Sequence, residues 1–211
     1  MIRALLVVSV SIFLAACQTR IDPSPSSDDA WVEDANLPLL EEIPNDWRLS
    51  AKVGLSIDGK AEQANLVWRR VPQLSSPRNN EISLFGPFGS GAVQLAYGER
   101  TVVLTDSKAK QYWGEDAQQL LTEIVGWPLP LDALGFWLFA QPAPDMVYRY
   151  QIAEDDKLSA IQQANWRIEF KDWRDFNGRT LPRKIFAYRE NDSLDAQSVS
   201  VKLVVKSWQW N

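Results

Sequence analysis

From Trp47 onward the chain alternates apolar and polar side chains with a period of two. Trp47, Leu49, Ala51, Val53 and Leu55 point one way and Arg48, Ser50, Lys52 and Gly54 the other, the pattern of a strand with one dry face and one wet face. Asp58-Gly59 is a turn dipeptide, and the stretch from Ala61 to Arg70 returns with Ala64, Leu66 and Trp68 on its apolar side. A polar loop with two prolines, from Val71 to Asn80, leads into EISLFGPFGSGAVQLAY, Glu81 to Tyr97. Here Ile82 and Leu84 share one arm of a hairpin, and Val93, Leu95 and Tyr97 share the other. Between the arms, Gly86-Pro87-Phe88-Gly89-Ser90-Gly91 supplies unusual φ angles and a missing N–H at Pro87, so this segment is a loop with Phe88 near its tip. Two readings of Phe88 stand side by side: folding back onto the core, or projecting to touch an apolar partner or a lipid surface.

Further strands follow at Thr101 to Thr105 and, after the turn Asp106-Ser107, at Ala109 to Trp113. The period then changes. Behind the N-cap Asp116, the residues Ala117, Leu120, Leu121, Ile124 and Val125 recur at helical spacing until Gly126 stops them. Trp127-Pro128-Leu129-Pro130 is a stiff connector, and Leu131 to Ala140 predicts a second short helix with Leu134, Trp137 and Leu138 on one face. Strands resume at Val147 to Ile152, around Leu158 to Ile161, at Asn165 to Trp173, at Pro182 to Tyr188 and at Ser198 to Trp210, with Asn177-Gly178 as a turn. In the last strand Val199, Val201, Leu203 and Val205 alternate, and the phase then shifts towards Trp208 and Trp210, as a bulge would cause. The pattern predicts about ten or eleven antiparallel strands with one helical insertion, and a sheet that large must curl. The economical fold is mainly β: an unclosed antiparallel barrel with residues 116 to 140 as helices covering its open side.

The first residues change the picture of where this domain works. Arg3, an apolar run from Ala4 to Phe13 and the ending Leu14-Ala15-Ala16-Cys17 read as a signal peptide too short to span a bilayer. That ending resembles the bacterial lipobox, in which the cysteine is acylated and becomes the first mature residue. The chain's one cysteine sits at the required place. Gln18 follows where enterobacterial lipoproteins kept in the inner membrane carry Asp, which points to the outer membrane. Residues 1–16 are thus expected to be cleaved and residues 17–44 to form a lipidated tether, Pro- and Ser-rich at first. A short helix broken by Pro38 is expected around Trp31, Val32 and Leu37. Residues 45–211 form the single folded domain.

Composition narrows the chemistry. The formal net charge of −5 does not favour nucleic acid, and one cysteine permits no internal disulfide. The absence of histidine removes Ser-His-Asp catalysis, His-based zinc sites and most neutral general-base schemes. Gly89-Ser90-Gly91 lacks the glycine two residues before Ser90 that a nucleophile elbow needs, and no lysine completes a phosphate loop. Asp28-Asp29, Glu41-Glu42 and Asp155-Asp156 read as solvated surface. No catalytic, metal or cofactor site is expected, so the protein is not expected to be an enzyme. What remains is apolar: Trp47, Leu49, Val53, Leu66, Trp68, Ile82, Leu84, Val93 and Leu95 on the sheet, with Leu121, Ile124, Leu134 and Leu138 on the helices. Together they enclose either a filled core or a cavity for acyl chains, and the ten tryptophans suit both.

The order of these pieces resembles the LolB family of outer-membrane lipoprotein receptors. The likeness rests on the lipobox, the strand Trp47 to Val53, the strand ending in Trp68 and the L-x-G-P-x-G-x-G loop from Leu84 to Gly91. It extends through Gly126-Trp127-Pro128-Leu129-Pro130, Trp137 with Pro142, and the closing strand through Trp208. The resemblance implies an unclosed barrel whose hydrophobic cavity accepts lipoprotein acyl chains from the periplasmic carrier LolA and passes them to the outer membrane, without cofactor, as a monomer. It also implies a membrane-inserting loop at Pro87, Phe88 and Gly89. Leucine follows the proline in the best-known member, and Phe88 keeps the apolar character with more bulk. The competing expectation is a structural or scaffolding lipoprotein with a filled core.

Overall fold

The structure is a computed structural model that describes residues 31–33, 37, 42–72, 79–86, 91–99, 101–190 and 197–210. Its strands are β1 (Trp47–Ile57), β2 (Lys60–Arg70), β3 (Asn80–Phe85), β4 (Val93–Tyr97), β5 (Val102–Thr105) and β6 (Gln111–Gly114). Helices α1 (Ala117–Val125) and α2 (Leu131–Trp137) follow, then β7 (Tyr148–Ile152), β8 (Leu158–Gln163), β9 (Trp166–Phe176), β10 (Arg179–Arg189) and β11 (Val199–Trp210). All eleven strands form one sheet in the order β6-β5-β4-β3-β2-β1-β11-β10-β9-β8-β7, and every paired neighbour is antiparallel. The sheet does not close: β6 and β7 are its two edges, and both helices lie in the chain that joins those edges. The expected unclosed antiparallel barrel with a helical insertion is therefore the fold found.

Alternation sets the register. Pairing Leu49 with Trp68 and Trp208, and Ala51 with Leu66 and Val205, puts the apolar sets of β1, β2 and β11 on one face. The phase change in the last strand is a bulge: Ala51 faces Val205 whereas Ser50 faces Ser207, leaving Lys206 as the extra residue. Both expected dipeptide turns have positive φ at each central residue, 48° and 79° at Asp58-Gly59 and 54° and 87° at Asn177-Gly178, as a type I′ hairpin turn requires. A third such turn at Ala164-Asn165, with φ of 52° and 61°, carries no glycine to announce it, and it moves the start of β9 from Asn165 to Trp166.

Strand ends also shift: β6 starts at Gln111, since Ala109 sits in the turn at φ 62°, and β10 starts at Arg179, ahead of Pro182. Two departures are larger. Helix α2 ends at Trp137 rather than Ala140, because the N–H groups of Phe139 and Ala140 bond back to Phe136 and Trp137 in tight turns and Ala140 takes a φ of 54°. Val32, expected in a short helix, is extended instead. It exchanges two backbone hydrogen bonds with Tyr150 on edge strand β7, at 2.9 and 3.1 Å. Most of the rest of that expected helix lies outside the described residues, as does Cys17.

Candidate functional site

The concave face of the sheet and the inner faces of the helices meet in one apolar cluster. Of the residues expected to line a cavity, Trp47, Leu49, Val53, Leu66, Trp68, Ile82, Leu84, Leu95, Leu121, Leu134 and Leu138 are buried in it, while Val93 and Ile124 are half-buried at its margin. All thirteen are thus brought together. Pro87, Phe88 and Gly89 lie outside the described residues.

The helices are positioned by local chemistry. Asp116 caps α1 by accepting from the Gln119 N–H at 2.9 Å. Gly126 closes it at φ 80°, where its N–H bonds to Thr122 and the Trp127 N–H reaches Leu121. Leu120 packs over Gly114 so closely that a Cβ there would lie 2.7 Å from its Cδ1. Gly135 on α2 faces Trp68, whose ring atoms would lie 3.8 Å from an added Cβ.

Three polar clamps hold this lid, and the alternation pattern pointed to none of them. The Trp127 Nε1 donates to Glu62 Oε2 on β2 at 3.0 Å. The Arg189 guanidinium on β10 donates to the Pro128 carbonyl at 3.0 Å. The connector is thereby tied to strands on both sides of β1. The third clamp is the buried amide of Gln163, whose Oε1 accepts from Trp137 Nε1 at 3.0 Å and from the Ala143 N–H at 2.8 Å, while its Nε2 donates to the Ala143 carbonyl at 2.9 Å. A buried glutamine with its carbonyl and amide both engaged fixes the end of the lid to β8.

Side chains occupy the space under α2. Phe139, just past the helix, packs against Trp208 with ring centroids 4.7 Å apart and against Trp47 at 5.6 Å, and Trp47 also meets Trp68 at 5.6 Å and Trp208 at 5.4 Å. Within this aromatic group the Nε1–H donors of Trp47 and Trp208 are buried without a hydrogen-bond partner, which is costly for an indole. Recesses open at both ends of α2. One of about 460 Å³ is bordered by Asn80, Tyr97, Val102, Asp116, Leu131 and Asp132. The other, about 430 Å³, is bordered by Ile43, Arg70, Phe136 and Gln141. Burial pushes the Tyr97 phenol far above its ordinary range, with Asp132 adding to the shift, so it stays neutral at the rim.

Comparison with known proteins decides the family. The family model described as outer membrane lipoprotein LolB matches residues 45–208. The chain belongs to the LolB family. An outer-membrane lipoprotein LolB of Pseudomonas aeruginosa is 30% identical over 210 residues, covering 99% of this chain and 96% of its own. A LolB from Francisella tularensis is 29% identical over 164 residues, covering 77% and 73%. Among solved structures, a LolA superfamily protein from Nitrosomonas europaea aligns over 82% of this chain and 89% of its own, at 7% identity and a TM-score of 0.49. The residues 45–208 that match the LolB model contain all thirteen expected lining residues, the lid and all three clamps.

Proposed function

We propose that this LolB-family protein is an outer-membrane lipoprotein receptor on the periplasmic face, anchored through Cys17. It takes acyl chains of lipoproteins from a LolA-type carrier and inserts them into the outer membrane. Family membership supports the outer-membrane lipoprotein assignment. The observation that carries the finer reading is the state of the concave face. It is apolar, it is covered by a short inserted lid, and it holds two indole N–H groups without acceptors. Displacing Phe139 would admit hydrocarbon between the helices and the sheet and would offer those N–H groups the ester carbonyls of a diacylglyceryl group. Each buried CH₂ contributes about 0.8 kcal/mol, so a modest gain in complementarity over the carrier moves cargo forward with no catalyst and no nucleotide. Phe88 then seats the mouth in the bilayer during release.

The second reading, a scaffolding lipoprotein with a solid core, is favoured by the Trp47, Phe139 and Trp208 packing. The mature chain with Cys17→Ala, titrated with a fluorescent diacyl lipid, separates them: saturable binding that perturbs tryptophan emission supports the receptor, and no binding supports the scaffold. Phe88→Glu is expected to leave uptake nearly intact while slowing delivery from the loaded protein to vesicles. An unchanged delivery rate would remove the insertion role.

A further inference from the structure

The opposite face of the sheet carries a charge distribution that the acyl-chain reading does not use. Alternation puts Arg48 and Lys52 of β1, Arg69 of β2, Lys184 of β10 and Lys202 of β11 on the convex side, with Lys206 presented beside them by the bulge. These four central strands place no carboxylate on that side, although the chain as a whole is acidic, at −5. On neighbouring β9, Glu169 is already paired with Arg167 at 3.2 Å and Lys171 at 2.9 Å. Asp172 pairs with Arg183 at 2.6 Å and lies 3.7 Å from Lys184, so among the described residues Lys184 is the one lysine of the set with a carboxylate partner. No carboxylate among the described residues pairs with Lys52, Lys202 or Lys206.

A recess of about 300 Å³ lies in the middle of this face, between Lys52, Gln63, Asn65, Lys202 and Val204, with Gly54 contributing backbone alone. Gly54 is not demanded by backbone geometry, since it is absent from the positive-φ residues, nor by packing, since an added Cβ would find its nearest neighbour at 4.0 Å. A glycine inside a central strand weakens it and leaves room for a close approach from outside. The Lys206 ammonium is held at the same place by Asn65 Oδ1 at 3.0 Å, and the Lys202 ammonium lies over the Phe186 ring at 5.4 Å from its centroid.

We propose that this convex face docks on anionic phospholipid headgroups, with the recess over Gly54 receiving a headgroup phosphate. Lysines with apolar stems suit a headgroup layer and are depleted at protein–protein interfaces, so a lipid surface is the better match than an acidic protein. The inference rests on the outer-membrane assignment but not on acyl-chain uptake. Face-on docking lays the strands along the membrane plane and keeps both ends of the barrel at headgroup level.

The test uses the full lipidated chain. With Cys17 acylated, Ser200→Cys on β11 provides one free thiol on the convex face for a fluorophore, and the unsubstituted chain serves as the labelling control. In vesicles of equimolar phosphatidylethanolamine and phosphatidylglycerol, a headgroup-bound quencher is expected to quench the label. It should not do so in phosphatidylethanolamine with phosphatidylcholine, nor at about 1 M salt, where the Debye length is about 3 Å. Lys52→Gln with Lys202→Gln is expected to shift the docked-to-detached ratio about fivefold per lysine, roughly twenty-five-fold together. Lys157→Gln, in an exposed turn, should change nothing. Thermal melts and diacyl-lipid binding by the double variant check its fold and keep this result separate from the receptor reading. Equal quenching in both lipid mixtures, no quenching in either, or an unaffected double variant would overturn the proposal. So would displacement by inorganic phosphate beyond the effect of chloride at matched ionic strength, which would make the recess a site for the free ion.

Discussion

At the scale of single residues, the unpartnered indoles of Trp47 and Trp208 are the informative defect. An unsatisfied buried donor costs about 1–3 kcal/mol, whereas truncating a buried Trp to Ala costs about 3–5 kcal/mol. Trp208→Phe removes the orphaned N–H and keeps a ring against Phe139, so the lost volume and the relieved donor oppose each other. Urea unfolding is expected to show a loss well below the ~3–5 kcal/mol of truncation to Ala. Diacyl-lipid affinity should fall, because a carbonyl loses its donor. A large stability loss with unchanged affinity would make Trp208 an ordinary core residue. Tyr97 supports a prediction of pH dependence. Its phenol is raised in the folded chain, so folding favours the protonated form. That contribution is complete below the unfolded value of about 10 and is lost as pH rises above it. Alkaline unfolding should therefore begin later in Tyr97→Phe, as followed by far-UV circular dichroism.

At the scale of elements, two short helices and a proline-rich connector are too small to be stable alone, and they stay on the sheet through the clamps at Glu62, Arg189 and Gln163. Gln163→Leu would leave the Trp137 Nε1 and both backbone groups of Ala143 unpartnered in a buried place. The expected loss is on the order of 3 kcal/mol. Glu62→Ala removes a partner that is mostly solvent-facing and should cost about 1 kcal/mol or less while freeing Trp127. The informative readout for Glu62→Ala is kinetic: faster uptake of the diacyl probe in stopped flow, with little change in the unfolding midpoint. If uptake is unchanged, the connector is not part of the moving lid.

At the scale of the whole molecule, the sheet was legible because period-two alternation survives in nearly every strand, and the helical insertion because Asp116 and Gly126 bracket a period of 3.6. The clamps were not legible. Gln163 sits in a strand where a polar residue reads as the wet face, and its burial follows from the Ala143 backbone folding over it. The turn at Ala164-Asn165 was hidden for want of a glycine, and the Phe139 plug because a helix continued to Ala140 sets Phe139 on the flank of the apolar face, whereas α2 stops at Trp137 and tight turns follow it. The pattern brought the thirteen candidate residues to one cluster, the nine strand residues through the shared register and the four helical ones through the 3.6-residue period; whether side chains or open volume lie between them is a matter of rotamers that no pattern encodes. The decisive behaviour of the molecule follows from its open topology. With β6 and β7 unpaired to each other, the segment from Glu115 to Ala143 covers the concave face, with Leu37 and Ile43 packed beside it, and the proposed receptor role requires that segment to lift for hydrocarbon to enter. Native-state hydrogen exchange on the full chain is expected to show the α1 and α2 amides opening at lower free energy than the paired β1, β11 and β10, and a bound diacyl lipid should slow them selectively. Lid amides that exchange only with global unfolding would mean that helices and sheet form one cooperative core, and then the scaffolding reading, not the receptor, describes this protein.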